Sequence, residues 1–238
     1  MTEWIEPNPK VEVQTGEYQR LLGYPAGHVL GGRAKDLAEW ARAWYAEHGH
    51  PWIYAREAGS LETRGASVIV EGVRFHSGVL RRRLENAAAD GAILAAVSAG
   101  PEIEQEAQKL WREEKPDEYY FLEMLGSAVV EQLTAMTGAH LCAWADGQGK
   151  AVLPHYSPGY PGWDVAEQVR LLELFQGTEA LVGNLEALQS GALRPKKSLL
   201  AVFGLTRHTE GIRRLTEMVA CENCALPACE LRRITEKP

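Results

Sequence analysis

His155-Tyr-Ser-Pro-Gly-Tyr-Pro161, followed downstream by Pro195-Lys-Lys-Ser198 and an apolar run, is the most informative stretch of this sequence. Pro158 restricts Ser157 to an extended conformation, and Gly159 lacks the Cβ that would hold a bound molecule away from the main chain. Local chemistry therefore predicts a turn that presents peptide groups. Taken alone, Ser157-Pro-Gly-Tyr160 reads most simply as a surface turn with a partly buried tyrosine.

Upstream of that turn the pattern is mixed. Leu37, Trp40, Ala41, Trp44 and Tyr45 recur at spacings of three and four, which predicts a helix over residues 34–48 ended by His48-Gly-His-Pro51. Strands are expected at 52–55 and 67–75, the second rich in β-branched residues, and a buried strand at 92–98 closed by Gly100-Pro101. Residues 77–88 and 102–113 read as helices, the latter with proline at its start and acids in its first turn. From Asp117 to Cys142 there is no proline, and Phe121, Leu125, Ala128, Gln132 and Met136 fall at helical spacing, so the longest helix is expected there. Beyond a linker at 147–149 come the turn, a helix at 165–175, strands near 181–185 and 199–205, and a helix near 211–219. Strands and helices do not alternate regularly, and no Gly-x-Gly-x-x-Gly loop follows a strand, which disfavours a Rossmann-type methyltransferase.

With 238 residues, 45% of them hydrophobic, the chain can bury a sizeable core as a single domain spanning 1–238, with a cysteine-rich tail at 220–233. A net charge of -7 removes the attraction on which sequence-independent nucleic-acid binding rests, so no nucleic acid is expected. No apolar stretch approaches the roughly 20 residues needed to cross a bilayer, and no secretory leader is recognisable, so a cytoplasmic location away from membranes is expected. Three of the four cysteines crowd into Cys221-x2-Cys224-x4-Cys229, which is unlike the disulfide framework of a secreted fold. Thiolates at this spacing suit zinc or an iron–sulfur cluster, with Cys142, His140 or His208 as a further ligand; free or transiently bridged thiols are the other reading. Lys196-Lys197, Arg81-Arg-Arg83 and Arg213-Arg214 read as ordinary solvated faces.

Four segments, taken in order, resemble the activation domain of cobalamin (vitamin B12)-dependent methionine synthase, in a short stand-alone form: Leu22-Gly-Tyr24, Gly126-Ser-Ala-Val-Val-Glu-Gln-Leu133, Ser157-Pro-Gly-Tyr160 and Pro195-Lys-Lys-Ser198. The cysteine ending is similar to that of the short members. The resemblance implies an α+β fold with a twisted, mainly antiparallel sheet and packed helices. It also implies an auxiliary role in reductive methylation. A cobalamin trapped as cobalt(II) is reduced by one electron and methylated by S-adenosylmethionine, so that the chain would count as a methyltransferase if it is an enzyme at all. The cobalamin would be carried by a partner, a cobalamin-dependent methyltransferase or corrinoid protein, with a flavodoxin or ferredoxin-type reductant as electron donor.

By the same resemblance, S-adenosylmethionine would lie against main-chain groups at Ser157, Pro158 and Gly159, beside Tyr160, with Glu131 near its ammonium group. His155 departs from the pattern, which usually has arginine there. Histidine is mostly neutral at pH 7 and cannot offer a guanidinium's planar fork to a carboxylate. A nearby Arg or Lys would have to compensate, or the ligand has weakened or changed. Two other classes of function are therefore expected alongside: a metal-binding electron-transfer or redox-sensing protein built on Cys221, Cys224, Cys229 and Cys142 that has lost S-adenosylmethionine binding, and a non-catalytic adaptor docking on a corrinoid methyltransferase.

Overall fold

A computed structural model describes residues 3–25, 27–175, 185–213 and 215–217. In chain order its elements are β1 (Glu3–Pro7), α1 (Thr15–Leu21), α2 (Gly32–His48), β2 (Trp52–Glu57), β3 (Leu61–Arg64), β4 (Ser67–Val70), β5 (Val73–Phe75), α3 (Gly78–Asn86), β6 (Gly91–Ser98), α4 (Glu102–Arg112), α5 (Pro116–Asp146), β7 (Ala151–Val152), α6 (Gln168–Glu173), β8 (Glu186–Ala187), β9 (Leu193–Arg194) and β10 (Ser198–Thr206). Short 3-10 turns stand at Val165–Glu167 and Leu215–Glu217.

The central sheet runs β1-β2-β6-β10-β7, with antiparallel pairing throughout. Its middle strands are buried on both faces, which explains why 92–98 is a continuous apolar run rather than an alternation. Cross-strand register sorts the side chains. Tyr54, Leu94, Ala96, Leu200 and Val202 face a core shared with the small β3-β4-β5 sheet, α3 and α6. Ile53, Ala95, Val97, Ala201 and Phe203 face the other way, where α5 lies across the sheet and α1, α2 and α4 pack on it. The fold is thus a mixed α+β arrangement, as expected.

Pro116 opens α5, because the first turn of a helix needs no N–H there. The apolar stripe read from the sequence is only part of its buried surface. Leu122, Val129, Leu133 and Leu141 are buried as well, since three helices and the sheet surround it. The hydroxyl of buried Tyr18 donates to the Phe121 carbonyl at 2.7 Å and ties α1 to the start of α5.

Other expectations need adjustment. The segment 67–75 is two strands, β4 and β5, joined at Glu71-Gly72 with Val70 opposite Val73. The helix at 165–175 begins as a 3-10 turn. Strands β1, β3, β7, β8 and β9 and helix α1 are too short or too polar to have been read from periodicity. The strand expected at 181–185 lies mostly outside the described residues, as do Cys221, Cys224 and Cys229; of the helix expected at 211–219, the described part forms a 3-10 turn at Leu215–Glu217. No helix among the described residues is long and apolar enough to cross a membrane.

Candidate functional site

The chain from β7 onward runs as an edge strand along β10. Val152 pairs with Leu205, Tyr156 exchanges two 2.9 Å main-chain hydrogen bonds with Val202, and the buried Ser157 hydroxyl donates to the Leu200 carbonyl. Pro158, having no N–H, ends the pairing. Ser157 and Pro158 are buried, whereas Gly159 is exposed and adopts φ +95°, a left-handed conformation open to glycine. The chain then folds back on itself. Gly159 N–H donates to the Trp163 carbonyl at 2.9 Å, Tyr160 N–H to the Ser157 carbonyl at 3.1 Å, and Trp163 N–H to the Tyr160 carbonyl at 2.9 Å. The Gly159 N–H, a main-chain donor expected to face a ligand, is therefore used inside the turn, as is that of Tyr160.

The side chains around the turn form an aromatic group. His155 Nε2 lies 3.0 Å from the Tyr160 hydroxyl, and its ring also meets Phe203 of β10. Burial, with a smaller contribution from the Arg83 guanidinium, lowers the His155 pKa to about 4. The imidazole is neutral at pH 7, and its tautomer sets which partner of the Nε2–Tyr160 hydroxyl hydrogen bond donates. Arg83, in the last turn of α3, stacks over the Tyr156 ring at 4.5 Å. The Trp163 indole donates to Glu167 at 2.8 Å, and the same carboxylate accepts the His76 N–H at 2.9 Å, which ties the turn to the end of β5.

A second polar group lies where β10 begins. Lys197 is 13% exposed; its Nζ donates to Ser127 Oγ at 2.9 Å and sits 3.1 Å from the Glu123 carboxylate, which is 8% exposed. Lys196 pairs with the same carboxylate, and its N–H donates to Glu104 of α4 at 3.0 Å. A Cβ on Gly126 would come within 2.9 Å of Lys197 Cγ and Ile103 Cδ1, so the lysine stem crosses α5 at a point without a side chain. The solvated face expected at Lys196-Lys197 is corrected at Lys197, while Lys196 stays exposed: removing a cation from water is costly, and Glu123 compensates. Burial lowers the Lys197 pKa, while Glu123 acts in the opposite direction. Glu123 was missed in the sequence, although a lone charge inside Phe121-Leu-Glu-Met-Leu125 was a visible signal.

These two groups join the four segments singled out earlier. Ser127 meets Lys197, Ser157 meets Leu200, and the Tyr120 hydroxyl donates to the Leu22 carbonyl at 3.3 Å. Glu131 is placed differently: its carboxylate takes Arg20 of α1 at 3.1 Å, with 42% of the side chain exposed. A ligand ammonium at Glu131 would compete with Arg20. Cys142 is buried on α5 beside a cavity of about 190 Å³ lined also by Asp146, Lys150, Thr209 and Arg213. Among the described residues, no group of three or more His, Cys, Asp or Glu is arranged to hold a metal ion.

No protein-family model matches the chain, and no curated protein matches it. Solved structures do. The crystal structure of the MetH reactivation domain bound to AdoHcy aligns with TM-score 0.63 at 12% identity, over 89% of this chain and 81% of that one. This chain has the reactivation-domain fold. At such identity the likeness establishes architecture, and it accounts for the antiparallel sheet flanked by helices on both faces.

Proposed function

We propose that this chain is an auxiliary reactivation protein for a cobalamin-dependent methyltransferase, binding an S-adenosyl ligand at the 155–160 turn while the corrinoid is carried on a separate polypeptide. The observation that carries this reading is the exposed Gly159, set between buried Ser157-Pro158 and half-buried Tyr160 in a fold shared with an AdoHcy-bound domain. The residues fit such a ligand in part. Gly159 allows close approach, and Tyr160 and His155 offer an aromatic wall. The Gly159 and Tyr160 N–H groups do not grip a carboxylate, because they are used within the turn.

When bound, S-adenosylmethionine supplies a methyl group. The protein's own contribution is placement: the Ser157–Leu200 and Trp163–Glu167 hydrogen bonds hold the turn against β10 and β5, so the ligand meets a rigid surface. Glu131 enters this reading as an ammonium acceptor that exchanges Arg20 for the ligand. Isothermal titration with AdoHcy tests the proposal. Saturable binding that weakens on Gly159→Val supports it, and no binding, with or without a corrinoid protein, overturns it.

A second reading rests on a separate packing contact. Leu215 approaches Gly138 on α5, one helical turn before Cys142, and so carries the chain toward that cysteine shortly before Cys221 in sequence. Cys142 with Cys221, Cys224 and Cys229 would then share zinc or an iron–sulfur cluster, the latter able to supply the reductant's electron to a ferredoxin- or flavodoxin-coupled partner. Anaerobic purification followed by metal analysis and visible absorption tests this, and metal-free, colourless protein rules it out.

A further inference from the structure

An S-adenosyl thioether of the AdoHcy type has two unlike ends, a zwitterionic amino acid and an uncharged nucleoside. The chemistry of the turn decides which end it can take. Gly159 and Tyr160 N–H groups donate within the loop and Pro158 has no N–H, so a carboxylate laid there would leave water without gaining donors. An uncharged surface meets no such penalty. Val165 opens the 3-10 turn that follows and is 42% exposed, and a Cβ on Gly159 would lie 3.5 Å from its Cγ2. The bare main chain at 159 thus borders directly on a valine methyl.

A single exposed valine needs no explanation by itself. Its mounting and its place do. The Asp164 carboxylate accepts the Ala166 N–H at 2.9 Å, and Glu167 ties the other end of the 3-10 turn to Trp163 and His76. A Cβ on Gly191 would collide with the Val165 carbonyl, so the loop between β8 and β9 packs directly against this peptide. Val29, Trp111 and Tyr120, the other large apolar side chains exposed among the described residues, lie before α2, on α4 and on α5.

Resting on the proposal that the turn takes an S-adenosyl ligand, we infer that Val165 is a specificity-determining residue that receives the uncharged nucleoside end, with the bare Gly159 main chain beside it. Tyr160 and His155 add aromatic faces to the same turn. Selection follows from what such a surface lacks: it gives contact to a base or ribose and leaves a charged group unsolvated.

The test compares two ligands in calorimetry, AdoHcy and 5′-deoxy-5′-methylthioadenosine, which keeps the nucleoside and thioether but lacks the carboxylate and ammonium. Val165→Asn, similar in size but polar, is expected to weaken both by the same factor, roughly 5- to 50-fold, while the exposed position leaves the urea midpoint as in the parent. Val165→Ile, which keeps the apolar contact, should hold both affinities within about twofold. If Val165→Asn weakens AdoHcy alone or neither ligand, if Val165→Ile weakens both as much as Val165→Asn does, or if wild-type protein binds AdoHcy but not methylthioadenosine, the assignment to Val165 is overturned while the site at the turn stands. If wild-type protein binds neither ligand, the site and the assignment fail together.

Discussion

Glu123 and Glu131 sit about two turns apart on the same helix, and each pairs with a basic residue, yet they do opposite work. Glu123 is enclosed between α4, α5 and the start of β10 and holds two lysines. Glu131 is exposed and holds Arg20, which Glu17 also binds. A carboxylate that leaves water becomes part of the framework, whereas one that stays hydrated remains exchangeable. The difference separates the residue that positions Pro195-Lys-Lys-Ser198 from one whose ion pair stays at the surface.

The largest test of this contrast is Glu123→Ala. It leaves the Lys197 ammonium buried without its counter-ion, and urea unfolding should show a loss of about 3–5 kcal/mol. A loss below about 1 kcal/mol would mean that Lys197 rehydrates and that the two glutamates are equivalent after all. His155 gives an intermediate effect with a defined sign. Its folded pKa of about 4 lies below the unfolded value of 6.5, so the unfolded chain binds more protons between those limits. Stability is full above pH 6.5 and falls as pH drops toward 4, by up to about 3 kcal/mol, and His155→Asn should flatten that slope relative to the parent. An unchanged slope would show that the ring titrates as if hydrated. Glu131→Gln is the smallest perturbation. It should cost under about 1 kcal/mol in unfolding while reducing AdoHcy affinity measurably, and a purely structural glutamate would leave the affinity as it was.

Much of the architecture was legible because burial imposes a period. The 34–48 helix and the uninterrupted helix after Pro116 carry apolar residues at spacings that helical geometry brings to the core, and the 92–98 strand is a short apolar run closed by Gly100-Pro101. The site was legible in part. Ser157-Pro-Gly-Tyr160 announced a turn by its backbone preferences, but the internal hydrogen bonds that close it come from Trp163, which no local rule pairs with Gly159. Lys197 looked solvated because neighbouring lysines usually are; its burial depends on Gly126 and Glu123, more than seventy residues earlier.

By itself, the sequence determined the long central helix, the glycine turn after Pro158 and the neutrality of a histidine where a cation would bind an anion more firmly. Each follows from the preferences of one residue or a short periodic stretch. Only the tertiary structure decided that Arg83 stands over Tyr156, that Glu123 rather than Glu131 is locked, and that Ser127 and Ser157 meet the two ends of Lys197–Leu200. Such pairings depend on sheet register and helix crossing, and many distant contacts acting together set those geometries.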